Sequence, residues 1–208
     1  MGDSVIVSVG TKRGLFLFQS DKRRQKWERR GPFIKGWQIY HAVVDTRGTP
    51  TVHAAGSAVA FATTTYAGDL RGKKFTGAKK PPIPPKPLPK HLVWTKKYGI
   101  SMDPRVWHIE PGRASERRVL YAGTAPAGLF RSGDDGKSWE PVPAINSHPS
   151  RKDWNPGYGG MCLHSIQLDP ADSRRMYVAI SAAGAFRTDD GGKAWKPINR
   201  AVAKYVGA

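Results

Sequence analysis

Between Ser4 and Val9 apolar and polar residues alternate, and runs of similar length recur along the whole chain, which predicts strands. Residues 4–30 hold three of them, with Gly14 to Phe18 in the middle. Trp37 to Asp45, Thr51 to Ala55 and Ala58 to Thr64 open a second group. Val106 to Glu110, Val119 to Gly123, Leu129 to Arg131 and Trp139 to Val142 make a third. Met161 to Leu168, Met176 to Ser181, Ala185 to Thr188 and Trp195 to Ile198 make a fourth. The pattern predicts an all-β chain of repeated, mostly four-stranded units.

The turn before the last strand of the third and fourth groups is the same. Ser132-Gly133-Asp134-Asp135-Gly136-Lys137-Ser138-Trp139 matches Thr188-Asp189-Asp190-Gly191-Gly192-Lys193-Ala194-Trp195 as Ser/Thr-x-Asp-x-Gly-x-x-Trp. Asp and Ser or Thr accept backbone N–H bonds in such a turn, Gly takes its positive φ, and Trp brings a large apolar face to the returning strand. Ser20 to Trp27 keeps the spacing but lacks the Asp and Gly at their places, a degenerate copy. After residue 66 the turn is blurred, and its aromatic is either Phe75 or Trp94. In the last two groups, Arg117 to Gly123 aligns with Arg174 to Ile180.

The motif resembles the Asp-box, or BNR repeat, of sialidases, sortilin-type receptors and many bacterial propellers. Residues 10–16, 36–41, 105–112 and 163–170 extend the resemblance to the N-terminal half of a bacterial BNR-repeat propeller. It implies one partial β-propeller domain over 1–208, with blades near 1–35, 36–104, 105–160 and 161–208. In that family the structural positions are those held here by Ser132, Asp134, Gly136, Trp139, Thr188, Asp190, Gly192 and Trp195. The first blade shows only three strands, so its innermost strand has to come from elsewhere; the short tail 201–208 is one source. The chain therefore reads as part of a longer propeller, or as one that self-associates through open blade edges.

Composition narrows the class. Gly 23 and Pro 17 in 208 residues fit a turn-rich β chain, and a single cysteine, Cys162, excludes an internal disulfide framework. The first residues enter a strand directly, without the basic and apolar regions of a signal peptide, and no run is long enough to span a membrane; the expected location is cytoplasmic. The formal net charge is +18. Much of it falls in a basic, Pro-rich insertion at residues 71–97, built around Pro81 to Pro89, which reads as a long solvated loop with weak polyanion contact as its functional alternative.

Each first strand carries a histidine near its start: His41, His108 and His164. With Trp37, Tyr40, Arg105, Trp107 and Glu110 they form the candidate ligand site at a channel mouth. Repetition by descent explains equivalent histidines without function, and no His-x-x-His spacing fixes a metal; no metal and no cofactor are expected. The expected function is a non-catalytic scaffold that binds a partner protein, small molecule or glycan at this mouth. The alternative is a glycoside hydrolase of sialidase type, but no motif assembles Arg105, Arg113 and Arg151 into a triad. A Cys162–His164 nucleophile pair is a further candidate, set against an inert core cysteine.

Overall fold

The computed structural model describes residues 4–58, 61–83, 104–154, 160–181 and 183–199. It contains four antiparallel sheets, each a meander in chain order. The first holds β1 (Ile6–Thr11), β2 (Gly14–Ser20) and β3 (Trp27–Phe33). The second holds β4 (Gln38–Asp45), β5 (Thr51–Ala58), β6 (Phe61–Asp69) and β7 (Phe75–Gly77). The third holds β8 (Arg105–Pro111), β9 (Leu120–Ala125), β10 (Gly128–Ser132) and β11 (Glu140–Pro141). The fourth holds β12 (Leu163–Leu168), β13 (Met176–Ile180), β14 (Gly184–Thr188) and β15 (Lys196–Pro197). A one-turn helix, α1 (Pro143–Asn146), and a short 3-10 turn over Pro149–Asp153 follow β11.

The core lies between sheets. Leu15, Leu17, Ile39, Val52 and Ala54 fill the first interface. Ala55, Val106, Ile109, Leu120, Phe130 and Trp139 fill the second. Leu129, Leu163, Ile166, Val178, Phe186 and Trp195 belong to the third. β1, β4, β8 and β12 are successive neighbours, so the sheets stand around one end like propeller blades. Glycine permits the closest approach: a β-carbon on Gly123 would collide with the Leu163 carbonyl, and one on Gly10 would lie 2.6 Å from the Ile39 carbonyl.

The repeated turn is a closed set of local bonds. Ser132 Oγ donates to Asp134 Oδ1 (2.8 Å) and accepts from Gly136 N (2.9 Å). Asp134 Oδ1 accepts from Ser138 N at 2.9 Å. Thr188, Asp190, Gly192 and Ala194 repeat the arrangement. Each Trp indole N–H donates to the glycine carbonyl, Trp139 to Gly136 at 3.1 Å and Trp195 to Gly192 at 3.2 Å. In the degenerate copy Asp21, one residue early, accepts from Gln25 N and Lys26 N, and Arg24 takes the glycine's positive φ of 57°.

Three sequence expectations change here. Phe75 pairs with Gly68, as the box register requires of the missing aromatic, so β7 and the following Lys79 and Lys80 are integral to the sheets. The described part of the expected insertion is thus structured to Lys80; Trp94 and the remaining basic residues lie outside the described residues. The alignment of the last two groups also shifts by one. Leu120 faces Ser132 and Met176 faces Thr188, so Leu120, not Val119, is the counterpart of Met176. Finally, β1 corresponds to β9, the second strand of its unit, since Leu15 faces Gly10 as Leu129 faces Gly123. Its other edge meets no strand among the described residues, and Val7 and Val9 are exposed. The tail 201–208 lies outside the described residues.

Candidate functional site

Each first strand of the four-stranded sheets carries a bulge at the same place. Pairing skips from Ile39 to His41 in β4, from Val106 to His108 in β8, and from Leu163 to Ser165 in β12. The unpaired extra residue is Tyr40, Trp107 or His164, and a bulge re-aims its side chain. The register thus sorts the strands into two rows: Tyr40, Trp107 and His164 in one, His41, His108 and Ser165 in the other. The three histidines expected to be equivalent are not. His164 is exposed and contacts Ser165 Oγ at 3.1 Å.

The structure joins six of the eight candidate residues. The His41 and His108 rings lie 4.4 Å apart, and His108 Nε2 meets Glu110 Oε2 at 3.1 Å. His41 Nδ1 accepts from Ile109 N at 3.3 Å, which ties β4 to β8 and fixes the neutral tautomer on the other nitrogen. The Tyr40 and Trp107 rings are 5.3 Å apart, Tyr40 Oη is 2.9 Å from Ser57 Oγ, and the Arg105 guanidinium lies 5.8 Å above the Tyr40 ring. The buried Trp107 Nε1 has no hydrogen-bond partner. Trp37 stands apart, packed edge-on against Tyr66.

Burial drives the His41 pKa down to about 4; the neighbouring His108 adds to the fall and Glu110 opposes it. Burial also lowers His53, against the pull of Asp45 and Asp135. The unfolded chain therefore binds more protons than the folded one below the ordinary histidine value. Stability is complete above about pH 6.5 and is lost as pH falls toward 4. The expected loss is about 1–3 kcal/mol, read from urea midpoints at pH 7.5 and 4.5. A His41→Asn variant is expected to flatten that slope; equal midpoints in the parent chain would overturn the prediction.

The other candidates are engaged elsewhere. Arg113 donates to the Arg175 carbonyl at 2.8 Å, and Arg151 donates to the Ala127 carbonyl at 2.7 Å and covers the Trp154 ring. These arginines do not converge with Arg105. Cys162 Sγ is 3.2 Å from Ser181 Oγ, whereas His164 bonds Ser165, so the cysteine and histidine are not a pair. Asp134, used by its turn, is held down at about 2, the serine and backbone bonds outweighing the opposing effect of burial. Among the described residues no group of three or more His, Cys, Asp or Glu side chains could hold a metal.

Two residues that no motif flagged complete the neighbouring interface. Arg47, at the end of β4, grips Asp45 through Nε (2.9 Å) and Nη2 (2.7 Å). It also donates to the Glu116 and Val119 carbonyls of the next sheet, at 2.8 and 2.9 Å. His53 is buried at 3% exposure behind it. Asp45-Thr46-Arg47 is only a polar turn in sequence, and nothing local announces partners so far along the chain.

No family model matches the chain, and no curated protein matches it. Solved structures do. The GH74 xyloglucanase from Xanthomonas campestris superposes with a TM-score of 0.57 at 16% identity, over 91% of this chain and 26% of that one. YCF48 from Cyanidioschyzon merolae superposes with a TM-score of 0.56 at 13% identity, over 92% of this chain and 52% of that one. This chain folds as blades of a β-propeller. It spans about half of YCF48 and about a quarter of the xyloglucanase. No helix among the described residues is long and apolar enough to cross a membrane.

Proposed function

We propose that this chain is a non-catalytic propeller scaffold of the Asp-box type that binds a partner polypeptide at the mouth formed by β4 and β8. The observation that supports it is the Tyr40–Trp107 pair, set side by side by two matched bulges, with Arg105 over one ring and an unpartnered indole N–H on the other. Aromatic faces with a cation and a free donor suit a peptide's apolar side chains and its carbonyl or carboxylate oxygens. The glycosidase reading has less support. Glu110, the carboxylate of this cluster, is bonded to His108, and the paired acids of the repeated turns serve the turns and nearby arginines.

The test is a Tyr40→Ala/Trp107→Ala double variant. A partner recovered by the parent chain and identified by mass spectrometry is expected to bind the variant at least about tenfold more weakly. Its dissociation constant is measured by calorimetry, with folding checked by circular dichroism. Unchanged affinity in a folded variant sinks the reading. Hydrolysis of a 4-methylumbelliferyl sialoside, lost in Glu110→Gln, would favour the glycosidase instead. Retention on heparin that falls steeply with salt would favour polyanion binding.

A further inference from the structure

The second and third sheets are sealed at their outer edge by a strap of the chain's own backbone. Past β7, Ala78 N donates to the Thr65 carbonyl at 2.8 Å. Lys79 N and Lys80 N donate to the Lys137 carbonyl at 2.8 and 3.3 Å, and Trp139 N donates to the Lys80 carbonyl at 3.1 Å. Lys80 and Ser138 form a parallel bridge. The strap is an added strand laid along the repeated turn of the next sheet.

The step out of the third sheet begins in the same way. Val142 N donates to the Leu129 carbonyl at 2.9 Å, the counterpart of Ala78 with Thr65. The next residue, where Lys79 stands in the other copy, is Pro143. Proline has no N–H to give to the Lys193 carbonyl, and it suits the first position of a helix. The chain accordingly turns into α1 and leaves the Lys193–Trp195 edge without a strap. Ala194 is exposed, whereas its counterpart Ser138 is half-buried.

A cavity of about 720 Å³ occupies the gap. Tyr121 and Met176 form its apolar floor, Val142 and Ala144 one wall, and Lys193 and Glu140 part of its rim. Arg131 and Asp134 complete a rim whose formal charges cancel, which suits a peptide backbone better than a charged head group.

We propose that this groove binds an extended segment of a partner polypeptide. The segment lies parallel to Lys193–Trp195, as Ala78–Lys80 lies along Lys137–Trp139. Its backbone N–H groups bond the Lys193 carbonyl, its carbonyl accepts from Trp195 N, and a small or apolar side chain enters between Val142 and Met176. This is strand addition, with the molecule's own second interface as the template. The site is separate from the mouth at Tyr40 and Trp107 and does not depend on it.

The probe is a synthetic peptide of residues 75–83, Phe-Thr-Gly-Ala-Lys-Lys-Pro-Pro-Ile, added to the full chain. Amide shifts in heteronuclear NMR are expected at Gly191 to Trp195 and at Val142 and Ala144. The same peptide with Lys79→Pro lacks the pairing N–H and is expected to bind about tenfold more weakly. Ala144→Trp fills the groove and is expected to abolish the shifts. Should that variant fail to fold, the two peptides on the parent chain still decide the matter. Equal affinity for both peptides would overturn the proposal. So would shifts confined to Ile6–Thr11, the open edge of β1, or to Lys137–Trp139, where the peptide would be displacing the strap.

Discussion

Replacing Trp139 with alanine is expected to cost about 3–5 kcal/mol of stability. The side chain is 1% exposed and packs with Leu120, Phe130, Val106 and Ile109 between the second and third sheets. Its indole N–H is shared by the Gly136 carbonyl of its own turn and Thr65 Oγ1 of the neighbouring sheet, at 3.1 and 3.0 Å. Truncation empties a large volume in a rigid interface and leaves Thr65 unpaired as well. Trp139→Phe keeps most of the volume and loses the bonds, so about 1–2 kcal/mol is expected. Trp27, in the degenerate copy, is 44% exposed, and its alanine variant should lose under about 1 kcal/mol. Urea unfolding of the three variants checks the order. An equal cost at Trp27 and Trp139 would show that the turn, and not the interface, sets the value.

The Arg47→Met substitution is expected to be as damaging, at about 3–5 kcal/mol, for an electrostatic reason. Asp45 and Arg47 side chains are 10% and 11% exposed. Burial alone would raise the Asp45 pKa; the side-chain and backbone bonds from Arg47 outweigh it and hold the carboxyl below its ordinary range. Methionine keeps the stem's packing but leaves a charge with its main partner gone, and the Glu116 and Val119 carbonyls lose their donors. Asp45 in the variant is expected to take up a proton more readily, so the deficit against the parent chain should shrink as pH falls toward 4. The double variant Asp45→Val/Arg47→Met removes the stranded charge and is expected to recover a large part of the loss. A deficit under about 1 kcal/mol for Arg47→Met alone, or no recovery in the double variant, would refute the account.

Both residues act across the same interface, which bears on the candidate mouth. Tyr40 and Trp107 come from different sheets, as do His41 and His108, and their spacing depends on how those sheets meet. The bond from Ile109 N to His41 Nδ1 and the clamp at Arg47 sit along the same β4–β8 seam. Loosening the seam is therefore expected to weaken the mouth without touching it. For that reason the aromatic double variant carries the functional test.

Local chemistry made much of this protein legible in its sequence. The strands follow from period-two alternation. The repeated turns follow from Ser132, Asp134, Gly136 and Thr188, Asp190, Gly192, because every bond they make closes within six residues. Such bonds need no partner from elsewhere, so their signature survives in the chain itself.

Register did not survive in that way. Alternation looks the same after a shift of one residue, yet that shift moves every side chain to the other face. A bulge adds a residue with no mark in the sequence. Aligning His164 with His41 and His108 was natural on spelling, and the bulges of β4, β8 and β12 instead put it in line with Tyr40 and Trp107. The choice of Phe75 over Trp94, the strap at Lys79 and Lys80, and the grip of Arg47 on Val119 are likewise contacts between segments far apart in the chain. Strand order and turn chemistry are set by neighbours in sequence. What meets across a blade interface is set by packing, and only the assembled sheets decide it.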